Sequence, residues 1–90
     1  MTPLLNIMRA PADPTRMRIT LLIRQLELSV SEVVQILGQS QPRVSRHIKI
    51  LAEAGIAERR REGAWVVLRP GPMLSHPAIE PLFSLPGTED

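Results

Sequence analysis

A chain of 90 residues, 43% hydrophobic and with a formal net charge of +2, has the size and composition of one small globular domain, and at this length it buries only roughly 60 to 65% of its unfolded surface. It contains no cysteine, which excludes a disulfide framework, a thiolate metal site and a cysteine nucleophile and fits a reducing cytoplasm. No apolar run approaches the ~18 residues a membrane span requires, and the start, Met1 to Arg9, lacks the basic region and small-residue cleavage site of a signal peptide, so a cytoplasmic location with no membrane partner is expected.

The charge is unevenly placed. Between residues 41 and 61, six basic side chains (Arg43, Arg46, Lys49, Arg59, Arg60, Arg61) stand against Glu53 and Glu58, a local balance of +4. Residues 70–90 carry Glu80, Glu89 and Asp90 and no Lys or Arg, a balance of −3. A basic middle invites a polyanionic partner, although on charge alone a solvated charged face explains it equally well.

Residues 3–10 are predicted to form a short first helix, with Leu4, Leu5, Ile7 and Met8 as its apolar content. Pro11 should end it, because proline disfavours helical geometry in the residue before it. Asp13-Pro14 opens the second helix: Asp is a good N-cap, and Pro at the first helical position loses no hydrogen bond. This helix should run to about Leu26, with Met17, Ile19, Leu22, Ile23 and Leu26 turned inward. Ser29-Val-Ser-Glu32 has the form of a capping box at the start of the third helix, whose apolar face is Val33, Val34, Ile36 and Leu37. Gly38 suits the left-handed residue that closes a helix.

Ser40 caps the fourth helix, which tolerates Pro42 in its first turn and ends near Ala54-Gly55. Along it Val44, Ile48 and Leu51 recur at spacings of four and three and form one stripe. Pro42, Arg46 and Lys49 fall on the opposite face, flanked by Arg43 and Ser45, so the wet side is basic and rich in hydrogen-bond donors. After Gly55, Ile56–Arg61 and Ala64–Arg69 read as two strands joined by a turn at Glu62-Gly63, a hairpin tipped by arginine. Trp65 is expected to anchor this hairpin by packing. Residues 70–90 hold Pro70, Pro72, Pro77, Pro81 and Pro86, five of the nine prolines. They leave room for a short helix around Pro77–Phe83 that packs Ile79, Leu82 and Phe83, and for a tail at Pro86–Asp90.

The expected fold is mainly α with a small β-hairpin: a winged helix-turn-helix over residues 1–69, followed by a Pro-rich C-terminal segment over residues 70–90. The third and fourth helices, separated only by Gly38-Gln39-Ser40, make the helix-turn-helix.

Three blocks carry a more specific likeness: Ala12-Asp-Pro-Thr-Arg-Met-Arg-Ile19, the run Ser40–Gly55, and Glu58-Arg-Arg-Arg-Glu-Gly63. Together they closely resemble the ArsR/SmtB family of bacterial winged-helix transcriptional regulators, over roughly residues 4–69. The resemblance implies a homodimer on a pseudo-palindromic operator, usually a repressor released by a metal ion or another signal. The partner would be double-stranded DNA. On the N-terminal half of the fourth helix, Gln41, Arg43, Ser45 and Arg46 are placed to meet base edges, an arginine pairing with guanine and Gln41 with adenine. Ser40 at the helix N-terminus and Lys49 suit phosphate, and Arg60 and Arg61 on the wing suit backbone or minor groove. His47, between the basic and apolar faces, is expected to pack or hydrogen-bond locally.

The sequence departs from the family pattern in two places. Metal-sensing members carry two cysteines near the start of the third helix, where this chain has Ser29 and Ser31, and serine is a poor ligand for soft metals. The family's other metal site, on a long C-terminal helix, is matched only by His76 and Glu80 with Pro77 between them. No metal and no cofactor is therefore assigned, and the inducer is left open. Family members dimerise through their first and last helices, here short and broken by prolines. Either the dimer is unusual, or the chain is one domain of a longer protein, such as a fusion to a methyltransferase domain. With two histidines, no cysteine and no tyrosine, and no phosphate-binding glycine loop, an enzyme is not expected. The competing reading is a protein-interaction or dimerisation module working through the hairpin or the apolar surface near Ile50 and Leu82.

Overall fold

The computed structural model describes residues 4–83. The chain runs α1 (Leu4–Arg9), a 3₁₀ turn (Ala10–Ala12), α2 (Pro14–Gln25), β1 (Leu28–Ser29), α3 (Val30–Leu37), α4 (Gln41–Glu53), β2 (Ala57–Glu62) and β3 (Trp65–Pro70), then 3₁₀ turns at Pro72–Ser75 and Glu80–Phe83. Pro11 does not end α1 by itself. It sits in the first positions of the 3₁₀ turn, where its missing N–H is not needed, and it is buried together with Ala10.

Local signals set the helix ends. Asp13 caps α2, its Oδ2 accepting from the backbone N–H of Thr15 (3.0 Å) and Arg16 (3.2 Å). The buried Thr20 hydroxyl donates to the Arg16 carbonyl at 2.7 Å, a back-bond to the preceding turn that lets a polar side chain enter the core. Ser29 and Glu32 form the capping box: Ser29 Oγ accepts from the Glu32 N–H at 3.1 Å, and Glu32 Oε1 accepts from the Ser29 N–H at 2.8 Å. Gly38 closes α3 in the left-handed region, with φ 66° and ψ 26°, where a Cβ is unfavourable. Ser40 Oγ accepts from the Arg43 N–H at 3.4 Å and starts α4.

Two predicted inward residues face out. Leu26 lies beyond the end of α2 in extended geometry and is 54% exposed, because the helix stops one residue earlier than its apolar spacing suggests. Ile36 is 47% exposed: Val33 and Leu37, one turn apart, take the buried stripe of α3 and leave Ile36 on its flank.

The hairpin extends into a three-stranded antiparallel sheet, ordered β1-β3-β2. Leu28 pairs with Leu68 and Ser29 with Val67. On the other side of β3, Ala57 pairs with Pro70, Arg59 with Leu68, Arg61 with Val66, and Glu62 with Trp65. The turn falls at Gly63-Ala64, one residue later than predicted. Trp65 is not a packing anchor. It belongs to the last pair before the turn and is 59% exposed.

The core gathers Ile19, Ile23, Val33, Val44, Ile48, Leu51, Ile56 and Leu68 from all layers. The C-terminal segment closes it with Leu74 and Ile79. Two backbone hydrogen bonds hold this segment to the end of α4, the Gly71 N–H donating to the Ile56 carbonyl and the Met73 N–H to the Gly55 carbonyl, each 2.8 Å. A Cβ on Gly71 would lie 2.3 Å from the Gly55 carbonyl oxygen, so only glycine permits this approach. In place of one short helix around Pro77–Phe83 there is a turn followed by 3₁₀ geometry, because the prolines remove the donors a longer helix needs. Ile79 packs as expected, whereas the side chains of Leu82 and Phe83, and the stretch Pro86–Asp90, lie outside the described residues.

Candidate nucleic-acid interface

Burial of Val44, Ile48 and Leu51 fixes the rotation of α4 and leaves Gln41, Pro42, Arg43, Ser45, Arg46 and Lys49 exposed. With a rise of about 1.5 Å per residue, this helix is long enough to lie along a major groove. Among the described residues, Arg43, Arg46 and Lys49 have no ion-pair partner, so no described acid neutralises their charge.

The exposed residues divide between two flanks. Gln41 and Ser45, one turn apart, border a groove of about 310 Å³ whose far wall is Arg59, Trp65 and Val66 of the wing. Arg43 and Arg46 border a second hollow of about 410 Å³ against the start of α2, near Thr15, Arg16 and Gln39. Ser40, exposed at the N-terminus of α4, lies where the helix dipole favours an anion.

His47 is half-buried beside Arg16, whose Nη1 lies 3.2 Å from His47 Nδ1. Arginine has no acceptor, so it donates and Nδ1 accepts. Asp13 Oδ2 lies 4.0 Å from the same nitrogen; that longer contact becomes an ion pair only with a proton on Nδ1, and the 3.2 Å hydrogen bond takes precedence. Arg16 Nε also donates to the Ala10 carbonyl at 2.5 Å. One guanidinium thus ties the turn after α1 to the side of α4, a role the sequence reading did not assign. Only the three-dimensional approach of residues 10, 16 and 47 reveals it.

Arg59, not singled out from the sequence, borders the hollow that Gln41 and Ser45 share with the wing. The signal was available in the alternation of Arg59-Arg60-Arg61 along a strand: Arg59 and Arg61 must share one face and Arg60 the other. All three are exposed.

Among the described residues no three His, Asp or Glu side chains converge to hold a metal ion. His76 Nδ1 accepts from the Ala78 N–H at 3.0 Å, and Glu80 lies 3.8 Å from Arg24, so the two engage separate partners. The Ser29 hydroxyl is committed to the α3 cap. Ser29 and Ser31 offer only hydroxyl oxygens, poor donors for a soft metal. No helix of the described residues is long and apolar enough to cross a membrane.

Comparison with known proteins places this geometry. The family model for "Bacterial regulatory protein, arsR family" matches residues 13–59. The arsenic resistance transcriptional regulator ArsR1 of Pseudomonas putida is 50% identical over 64 residues, covering 70% of this chain and 50% of that protein. The arsenical resistance operon repressor of Escherichia coli is 41% identical over 69 residues, covering 76% of this chain and 59% of that one. The chain thus spans half to three-fifths of the length of these relatives. In structure it is similar to a homodimeric winged helix-turn-helix DNA-binding domain from Mycobacterium bovis, with a TM-score of 0.75, 25% identity, and coverage of 90% of this chain and 71% of the other. The capped helices and the left-handed Gly38 turn lie within the matched residues 13–59, and the chain belongs to the ArsR family of bacterial regulatory proteins.

Proposed function

We propose that this chain is the DNA-binding part of a cytoplasmic transcriptional regulator, a repressor that acts as a homodimer on a short inverted repeat. The observation that carries this reading is the exposed, unneutralised basic face of α4, held rigid by its buried stripe and bordered by the wing. The named roles of the relatives and the homodimeric state of the Mycobacterium bovis domain favour it over a protein-interaction module.

In this reading α4 enters the major groove. Gln41, Arg43, Ser45 and Arg46 meet base edges, while Ser40 and Lys49 hold phosphates and fix the register. Two recognition helices related by a two-fold axis read the two halves of an inverted repeat. Release of this protein from DNA does not run through a soft metal at Ser29 and Ser31.

The test is selection of bound duplexes from a random pool at stated salt, followed by affinity measurement on the enriched sequence. An inverted repeat should emerge. The Arg43→Ala/Arg46→Ala double variant should bind it about a hundredfold more weakly, since each bidentate base pair contributes about 1–3 kcal/mol of discrimination. Failure to enrich any sequence, together with no loss in the double variant, would remove DNA reading from this face.

A further inference from the structure

The register of β2 against β3 sorts the wing's charges onto two faces. Directly paired residues project to the same side of a sheet, and neighbours along a strand alternate. One face carries Ala57, Arg59 and Arg61 from β2 with Val66 and Leu68 from β3. The other carries Glu58, Arg60 and Glu62 with Trp65, Val67 and Arg69. The first holds two arginines and no acid. The second holds two arginines and two acids, and Arg69 on it is already 3.3 Å from Glu27.

The grooves identify which face meets α4. Arg59 and Val66 line the hollow shared with Gln41 and Ser45, joined from the other face only by Trp65 of the pair that closes the hairpin, and Val66 is the strand partner of Arg61. The opposite face borders a hollow of about 510 Å³ whose rim includes Glu27, Glu32 and Glu62, a wall that repels a polyanion. Arg60 stands on that side, with Glu58 and Glu62 two residues away in either direction on its own face. Among the described residues none of Arg59, Arg60 and Arg61 has an ion-pair partner, and what distinguishes them is the face: only Arg60 shares its side of the sheet with acids.

We infer that Arg59 and Arg61, and not Arg60, are the wing's contacts to the DNA backbone, and that they flank the same duplex whose major groove receives Gln41 and Ser45. This rests on the DNA-binding reading of α4 and refines it. The wing then works as a second, sequence-independent clamp: its guanidinium groups neutralise phosphates beside the recognition helix, while the acidic far face keeps the hairpin from binding DNA the wrong way round. Arg60 shares that far face with Glu58 and Glu62, whose charge offsets its attraction for a phosphate.

The test uses single glutamine variants, which keep the long polar side chain and remove the charge, on a short labelled duplex across a salt series. Each phosphate contact contributes about 0.9 to the slope of log affinity against log salt. Arg59→Gln and Arg61→Gln should each flatten the slope by about 0.9 per bound protomer and weaken selected and unselected duplexes alike, by roughly tenfold, the order of one charge-assisted hydrogen bond. Arg60→Gln should leave the slope unchanged. If Arg59→Gln melts below the working temperature, the pair Arg61→Gln and Arg60→Gln decides the matter, since both sites are exposed on the same strand. A flattened slope for Arg60→Gln equal to that of its neighbours, or an unchanged slope for Arg61→Gln, overturns the assignment. Those results differ from failure of the underlying reading, in which the wild-type protein itself shows no salt-dependent binding and the Arg43→Ala/Arg46→Ala variant matches it.

Discussion

The helix-turn-helix and the sheet with its C-terminal strap are held in different ways. In the first, the contacts that set the helix ends join residues within one turn: Ser29 with Glu32, the Gly38 N–H with the Val34 carbonyl, Ser40 with the Arg43 N–H. In the second, the contacts join distant stretches: Leu28 with Leu68, Gly71 with Ile56, Met73 with Gly55. The first region presents the proposed DNA-reading face and the second props it in place. Substitutions in the second should therefore cost more stability per residue, and those on the exposed face of the first should cost more function.

Leu68 tests this most severely. It is fully buried at the centre of β3, paired with Leu28 on one side and Arg59 on the other. Leu68→Ala should destabilise the chain by about 2–5 kcal/mol, as lost burial and a residual cavity add. The midpoint of denaturant unfolding measures it. A loss of less than about 1 kcal/mol, small for a buried leucine, would mean that the sheet is not integral to the core.

A pair of glycine substitutions sharpens the contrast. At Gly71 an added methyl meets the Gly55 carbonyl at 2.3 Å; the clash is with backbone, so Gly71→Ala should cost about 1–3 kcal/mol or more. At Gly38 an added methyl meets nothing within 4 Å, and only the left-handed backbone resists it, at roughly 1–2 kcal/mol. Thermal melts of the two variants should rank Gly71→Ala below Gly38→Ala. The reverse order would mean that the strap gives way without loss and the turn does not.

What the sequence disclosed follows the same division. The caps at Asp13, Ser29 and Ser40, the Gly38 turn and the Val44-Ile48-Leu51 stripe were legible because each is a local preference with a fixed spacing. The strand β1 was not, because two residues carry no period and pair only once β3 arrives from far along the chain. Arg16 was unassigned for the same reason: its partners at Ala10 and His47 sit on separate elements. Gly71 looked like any glycine in a Pro-rich run, and its necessity comes from a backbone on the far side of the fold. In the proposed site, the basic face of α4 was visible as a pattern. The alternation of the wing's arginines followed from strand spacing alone; which face lies beside α4 needed the fold.

Trp65 marks the other end of the scale. Composition singles it out as the only tryptophan, and aromatic bulk in a strand suggests an anchor. Yet it lies in the pair that closes the hairpin, opposite Glu62, and stays 59% exposed. Trp65→Ala should therefore change stability by less than about 0.5 kcal/mol, the range of ordinary surface substitutions, when unfolding is followed by far-UV circular dichroism. In the unaltered protein its fluorescence should be readily quenched by acrylamide. A loss of 2 kcal/mol or more would instead require the wing tip to fold against the body. That would cover the hollow between Trp65, Gln41 and Ser45 and close the space in which a duplex would have to lie, so this small stability measurement also tests whether the wing is free to clasp DNA.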